Sequence, residues 1–205
     1  MRLPFPLLSV LGGLAVLTGA CGCSDEGESP RQTFDSDVDQ CRANLKSIYD
    51  GLRAWQDETG NSPEESGVRF FGQLIASGFW EDTEEMRRTL TCPGANVPLV
   101  ESMPSFADLE AITGDHSAYA GRDNANHPLP RFPTSGEEPL IACDNAHGMN
   151  HAGVLNVLYA DGSIKSFRLD QERERGTIGP EFGADGVIFI GENSQIEDLR
   201  KLTLN

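Results

Sequence analysis

The segment from Cys143 to His151 is the only stretch of the sequence in which reactive side chains concentrate. Imidazole and carboxylate groups bind zinc and other divalent ions, so Asp144, His147 and His151 are candidate metal ligands. The alternative is that these polar groups hydrogen-bond within a loop. We favour the loop, because the glycine and asparagine between the two histidines disfavour the helix on which both rings would share a face.

A second group of possible ligands is the acidic, asparagine-rich stretch Asp123-Asn124-Ala-Asn126, whose oxygens suit calcium. Its spacing does not follow a regular calcium-binding loop. The sequence also lacks a G-x-S-x-G nucleophile motif and a phosphate-binding glycine loop. We therefore expect no resident cofactor, with zinc or calcium as the alternatives to test, and we expect a protein that is not an enzyme.

The charge balance narrows the range of partners. The chain has 205 residues with 16 Lys and Arg against 32 Asp and Glu, a net charge of −16. Such a polyanion is repelled by nucleic-acid phosphates and by anionic lipid headgroups. We expect no nucleic-acid partner, and any attachment to a membrane has to come from something other than charge.

The first twenty residues have the character of an export signal, because Arg2 is followed by an apolar run that ends in small residues before Cys21. Leu17-Thr18-Gly19-Ala20-Cys21 resembles the lipobox of bacterial lipoproteins, and the resemblance implies a diacylglycerol on the Cys21 thiol after cleavage. Cys23 is the second choice. An ordinary signal peptide and an uncleaved membrane helix are the alternatives. The expected organisation is a signal over residues 1–20, a flexible acidic tether over 21–36 and one globular domain over 37–205, facing the periplasm or cell exterior.

Export would place the remaining cysteines in an oxidising compartment, where disulfides form. Cys23 lies in the tether and Cys41 on an apolar helix stripe, so Cys92 with Cys143 is the preferred disulfide among three possible pairings. No C-x2-C spacing is present, and we expect no structural zinc site. A cysteine nucleophile, Cys143 with His147 or His151, is the enzymatic alternative, but it needs a free thiolate and an oxyanion hole.

Hydrophobic periodicity predicts an α+β domain. A long N-terminal helix is expected over about 38–58, because apolar residues recur there at steps of three and four. A shorter helix should follow near 70–77, with strands over 117–121, 139–143 and 186–190. Ser194 and Glu197 form a capping-box pattern before a closing helix. The apolar stripe of the N-terminal helix is narrow, which favours packing of that helix across a small antiparallel sheet.

The strongest local signal is a hairpin, with two apolar runs joined by Asp161-Gly162. This dipeptide favours a two-residue type I′ turn, which would pair Tyr159 with Ile164 and Val157 with Ser166. The first strand is apolar on both faces and should be central. The second strand carries basic residues and should lie nearer an edge.

His151, nine intervening residues and then Asp161-Gly162 spell H-x9-D-G, and the segment resembles bacterial prepilin-like proteins with a C-terminal H-X9-DG signature. Three further fragments agree in order, namely Cys41-Arg-Ala-Asn-Leu45, Cys92-Pro93 and Ser117-Ala-Tyr119-Ala-Gly121. The resemblance implies a pilin or type II secretion pseudopilin fold in a structural subunit, with a secretion-system or other envelope protein as partner. In this chain the apolar segment is the leader itself, so we expect a pilin-like head on a lipid anchor.

Overall fold

The computed structural model describes residues 30–95, 105–129, 132, 138–143, 149–180 and 187–205, with side chains from residue 37 onward. Within these ranges the protein combines helices with one five-stranded antiparallel sheet, which confirms the predicted α+β class. In the part of the chain so described, no helix is both long and apolar enough to cross a membrane.

Helix α1 spans Pro30–Thr59, so residues 30–36 of the expected tether lie in its first turns. Its buried face consists of residues spaced three and four apart: Cys41, Leu45, Ile48, Tyr49, Leu52 and Trp55. This face packs mainly against the two hairpin strands of the sheet. Helix α2 spans Val68–Ala76 and ends before Gly78, whose φ of 75° suits a helix terminus. Helix α3 spans Glu84–Thr89, and its N-cap is Thr83, whose side chain accepts a hydrogen bond from the Met86 amide.

The strands are β1 (Tyr119–Arg122), β2 (Pro139–Cys143), β3 (Val154–Tyr159), β4 (Ile164–Arg168) and β5 (Leu202–Thr203). Their order in the sheet is β4-β3-β2-β1-β5, and all neighbours are antiparallel. Every residue of β3 is buried, whereas β4 forms an edge. The predicted positions of the two hairpin strands in the sheet are therefore confirmed.

The hairpin register differs by one residue from the prediction. Leu158 pairs with Ile164, and Val157 pairs with Lys165 rather than with Ser166. Only Gly162 has a positive φ, 82°, while Asp161 does not. A type I′ turn needs positive φ at both central residues, and a residue with a Cβ resists it. The chain instead turns over three residues with glycine in the left-handed position, which shifts the pairing.

The C-terminal elements also differ from the prediction. Residues 187–190 form no strand; Ile188 is buried there, but Phe189 is 40% exposed.

The closing helix is one 3-10 segment, Glu197–Lys201, followed by β5. Its N-cap is Ile196, and the Ser194 hydroxyl accepts a hydrogen bond from the Ile196 amide, so the expected capping box does not form. The edge of β1 offers unpaired backbone groups, and pairing with them ends the helix early. A short helix that the sequence analysis missed, α4 (Leu169–Glu174), follows β4 directly.

Candidate functional site

Four reactive side chains from distant parts of the sequence meet in the core. Cys41, Cys92, Cys143 and His151 place one sulfur or nitrogen atom each within 4.8 Å of all the others. The Cys41 and Cys143 sulfurs are 2.7 Å apart, and the Cys92 sulfur lies 3.1 Å from Nε2 of His151. The three cysteines are thiols in this structure. We call these four residues the Cys–His cluster.

Each residue of the cluster is delivered by a different element. Cys41 lies on the buried face of α1, and Cys143 is the last residue of β2. Cys92 lies in the irregular segment that follows α3. His151 forms an isolated bridge with Val154 just before β3. The cluster therefore joins the helical layer to the central strands.

A set of hydrogen bonds fixes the segment that carries Cys92. From α1, the Asn44 side-chain amide donates to the carbonyl oxygens of Thr91, at 3.3 Å, and Arg88, at 3.5 Å. From the strand side, the Ser117 hydroxyl donates to the Leu90 carbonyl at 2.7 Å, and the Thr91 hydroxyl accepts from the Ala118 amide. Since these groups are buried, breaking the bonds would leave polar atoms without solvent. The segment is thus held on both sides next to the cluster.

The backbone at Gly94 approaches the histidine closely. A Cβ built there would lie 2.3 Å from the Asn150 carbonyl oxygen and 2.9 Å from Nδ1 of His151. Real side chains do not tolerate such distances, so only glycine lets these two segments pack together. Gly94 thereby fixes the position of the imidazole relative to Cys92.

The electrostatics of the cluster favour one thiolate. Hydrogen bonds from Cys143 and then Cys92 hold the pKa of Cys41 far below its ordinary value, outweighing the effect of burial. Burial, followed by the hydrogen bond to Cys41, raises the pKa of Cys143. The Tyr119 hydroxyl donates to the Cys41 sulfur at 3.8 Å, and burial raises the pKa of that phenol. The site therefore stabilises negative charge on sulfur through several donors.

The cluster is closed to solvent. Cys41 is 0% exposed, and Cys92, Cys143 and His151 are each 1% exposed. A cleft of about 730 Å³ lies beside it between α1 and α3, and Cys92 contributes to its wall. Apart from this contact of Cys92 with the cleft, the cluster side chains present almost no surface to a substrate.

Of the candidate zinc ligands named from the sequence, His151 is the one that the structure describes, and it lies in the cluster. Asp144 and His147 lie outside the described residues, as do Cys21 and Cys23. The sulfurs of Cys92 and Cys143, the preferred disulfide pair, are 3.8 Å apart, and that pairing stays a prediction.

The aspartate and asparagines considered as possible calcium ligands take part in loop hydrogen bonds. Both Asp123 oxygens accept from Asn126. The Asn124 amide donates to the carbonyls of Pro63 and Glu65. These bonds stabilise the loop itself.

The other signature residues are at the opposite end of β3 from His151. A strand of six residues spans about 20 Å, which separates the imidazole from Asp161 and Gly162. The Asp161 carboxylate accepts from the Ser163 amide at 2.9 Å, and hydrogen bonds from the Ser163 hydroxyl and then from this amide lower the pKa of Asp161. The two halves of the signature therefore have different structural roles: His151 belongs to the cluster, and Asp161-Gly162 form the turn.

Comparisons with known proteins give no assignment: no protein-family model matches the sequence, and neither curated proteins nor solved structures yield a match.

Proposed function

We propose that the protein is a non-enzymatic structural module of the cell envelope, a pilin-like or pseudopilin-like head held at a membrane by lipid on Cys21. The acidic head would face the periplasm or cell exterior and contact an envelope partner such as a type II secretion or pilus-type component. The −16 charge supports lipid rather than basic side chains as the source of membrane affinity.

The observation that carries this proposal is that one residue from each of the four fragments of the family resemblance lies at or beside the Cys–His cluster. Cys41, Cys92 and His151 are members of the Cys–His cluster, and the Tyr119 hydroxyl contacts the Cys41 sulfur. These fragments are far apart in the sequence and share no local pattern. Their convergence supports the resemblance as a description of one domain and not as a set of chance matches.

The closure of the cluster supports a structural role over a catalytic one. A cysteine nucleophile must reach its substrate and must have donors for an oxyanion beside it. Here the thiols face one another and an imidazole in the core, at 1% exposure or less. Such groups can hold the helical layer and the strands together, whereas their low exposure does not suit a nucleophile.

A second candidate function is that of a divalent-metal-binding envelope module. The sequence places this candidate at His147 and His151, and the Cys–His cluster, which contains His151, favours it. Zinc sites built from cysteine and histidine are commonly structural, so this role is compatible with the first.

The lipid anchor can be tested by labelling cells with an alkyne-bearing fatty acid and separating membranes from soluble material. We expect the native chain and the Cys23→Ser control to carry label and to sediment with membranes. Cys21→Ser should lose the label and accumulate as uncleaved precursor. Recovery of unlabelled native protein, or of protein that retains Met1, would overturn the anchor.

The partner can be tested by crosslinking in intact cells. We expect the anchored chain to capture secretion or pilus-type components more strongly than the Cys21→Ser variant does. Capture of the same unrelated abundant proteins by both would contradict the proposed role.

A further inference from the structure

We infer that Cys41, Cys92, Cys143 and His151 together bind one structural zinc ion. This site rests on the second candidate function and names its metal and ligands, and it depends neither on the lipid anchor nor on an envelope partner.

The spacing of the donor atoms fits a tetrahedral zinc site. Zinc–sulfur bonds of about 2.3 Å place neighbouring ligand atoms roughly 3.8 Å apart in a tetrahedron. The Cys92 and Cys143 sulfurs are separated by 3.8 Å. The contacts of 2.7 Å between Cys41 and Cys143 and 3.1 Å between Cys92 and His151 are shorter, and all four atoms lie within 4.8 Å. An ion at the centre would require the sulfur–sulfur contact to open by about 1 Å and the sulfur–nitrogen contact by roughly half an ångström.

The number and kind of donors favour a metal over a disulfide. A disulfide would use two of the three sulfurs and would leave a buried thiol beside a buried imidazole. A metal ion uses all four donors at once. Thiolate and imidazole together are typical of zinc, whereas calcium and magnesium prefer oxygen. Four protein ligands also leave no open coordination position, which is the arrangement of structural sites.

Zinc binding would release protons from the cluster and would involve no redox step. Three thiols lose their protons to solvent, the neutral imidazole of His151 binds through Nε2, and no electron is transferred. Zinc with three thiolates has one net negative charge. The Tyr119 hydroxyl, which donates to the Cys41 sulfur, supplies one of the hydrogen bonds that such a buried charge needs.

The surroundings of the ligands are built to hold them in place. Asn44 and Ser117 pin the segment that leads to Cys92, and the absence of a side chain at Gly94 brings that segment against His151. Cys143 is fixed by the register of β2 against β1, where it pairs with Tyr119. Four ligands from four segments would therefore be positioned before the ion arrives.

The test uses the full chain, purified in detergent, exposed to equimolar zinc and then freed of excess metal. Elemental analysis should find about one zinc per chain. Cys92→Ser and His151→Ala should each fall to a small fraction of that value. Cys23→Ser and His127→Ala, which change the same residue types outside the cluster, should keep the native amount.

Substitution with cobalt keeps the test decisive if the cluster variants fold poorly. The native chain loaded with cobalt should show thiolate charge-transfer bands and the intense visible bands of a tetrahedral ion, and added zinc should remove both. A metal-free native chain, or peptide mapping that finds two cluster cysteines joined in a disulfide in protein from its host, would overturn the inference.

Discussion

At the scale of single residues, Asn44 shows how the helical layer and the loops are joined. It is 8% exposed and lies one turn after Cys41 on α1. Its side-chain oxygen accepts from Gln40, while its amide donates to the carbonyls of Arg88 and Thr91. An asparagine is suited to this position because it offers both a donor and an acceptor. The residue therefore links the helix that carries Cys41 to the segment that carries Cys92.

We expect Asn44→Ala to destabilise the protein by about 1–2 kcal/mol, because two buried carbonyls lose a donor. The loss should be local, so amide hydrogen exchange should accelerate most between Arg88 and Cys92. Urea unfolding measures the first effect and exchange mass spectrometry the second. The matched control is Ser47→Ala on the same helix, where the lost hydroxyl is exposed and donates only to the Ala43 carbonyl. Equal destabilisation by both variants would contradict the linking role.

At the scale of elements, the H-x9-D-G spacing corresponds to the length of β3. His151 precedes the strand at the cluster, and Asp161-Gly162 turns the chain after its last residue. A Cβ at Gly162 would lie 2.7 Å from the ring of Tyr49, so α1 packs directly on the turn. The two ends of β3 are therefore attached to α1 by different means, through Cys41 at one end and through Tyr49 at the other.

Gly162→Ala should destabilise the protein by about 3 kcal/mol, since it combines backbone strain at φ 82° with a clash against Tyr49. Gly176→Ala is the matched control: its φ is 74°, but a Cβ there meets nothing within 4 Å. Strain alone should cost about 1 kcal/mol. Thermal and urea unfolding of the two variants separate the contributions. If Gly162→Ala were no worse than Gly176→Ala, the packing of α1 on the turn would not contribute to stability.

Local patterns predicted the elements that are determined locally. The apolar runs at 117–121 and 139–143 correspond to β1 and β2, and the apolar character of 154–159 predicted a central strand. Most predictions that are wrong concern segments whose structure depends on contact with another element. Residues 187–190 find no strand partner despite their apolar pattern. The hairpin register is an exception, because the local turn itself takes three residues when Asp161 has no positive φ. The C-terminal residues pair with β1 instead of extending a helix.

The Cys–His cluster could not be predicted from spacing, because its residues come from four segments. Cys41 and Cys143 are 102 positions apart and meet only after α1 packs on the sheet. Two signals pointed toward it. Cys41 fell on the inward stripe of a helix expected to cover the sheet, and Cys143 ended an apolar run. However, the sequence favours a disulfide between Cys92 and Cys143, and it therefore predicts no side chain that would contact the Cys41 sulfur.

At the scale of the whole molecule, an ion-pair network closes the sheet on the side away from the hairpin. Arg122 of β1 is 3% exposed, and its Nη1 lies 2.7 Å from Oε2 of Glu138. Lys201 of the C-terminal 3-10 helix places Nζ 3.1 Å from the other carboxylate oxygen. Arg122 also donates to the carbonyls of Pro139 and His127. Glu138 thus neutralises a buried guanidinium while connecting β1, β2 and the C-terminus.

This network makes part of the stability dependent on pH. Burial raises the pKa of Glu138, but Arg122 and Lys201 outweigh it, so the pKa lies below its ordinary value. A carboxylate whose folded pKa is depressed stabilises the protein above the unfolded pKa, about 4.3, and this contribution is lost as pH falls through the folded pKa. The stabilisation should therefore be complete at neutral pH and absent in strong acid.

We expect Glu138→Gln to lower the free energy of unfolding by about 1–2 kcal/mol at pH 7, because Arg122 remains buried without a countercharge. The difference from the native chain should shrink as the pH falls below the unfolded pKa of about 4.3, and it should vanish once the native carboxylate is also protonated. Urea unfolding at a series of pH values measures it. Glu110→Gln is the control, since Glu110 pairs with Arg69 at 3.4 Å but its side chain is 87% exposed. Its effect should be within about 0.5 kcal/mol at every pH, because exposed pairs are screened by water. A Glu138→Gln deficit that persisted unchanged in acid would show that packing, and not the carboxylate charge, accounts for the contribution of Glu138 to stability.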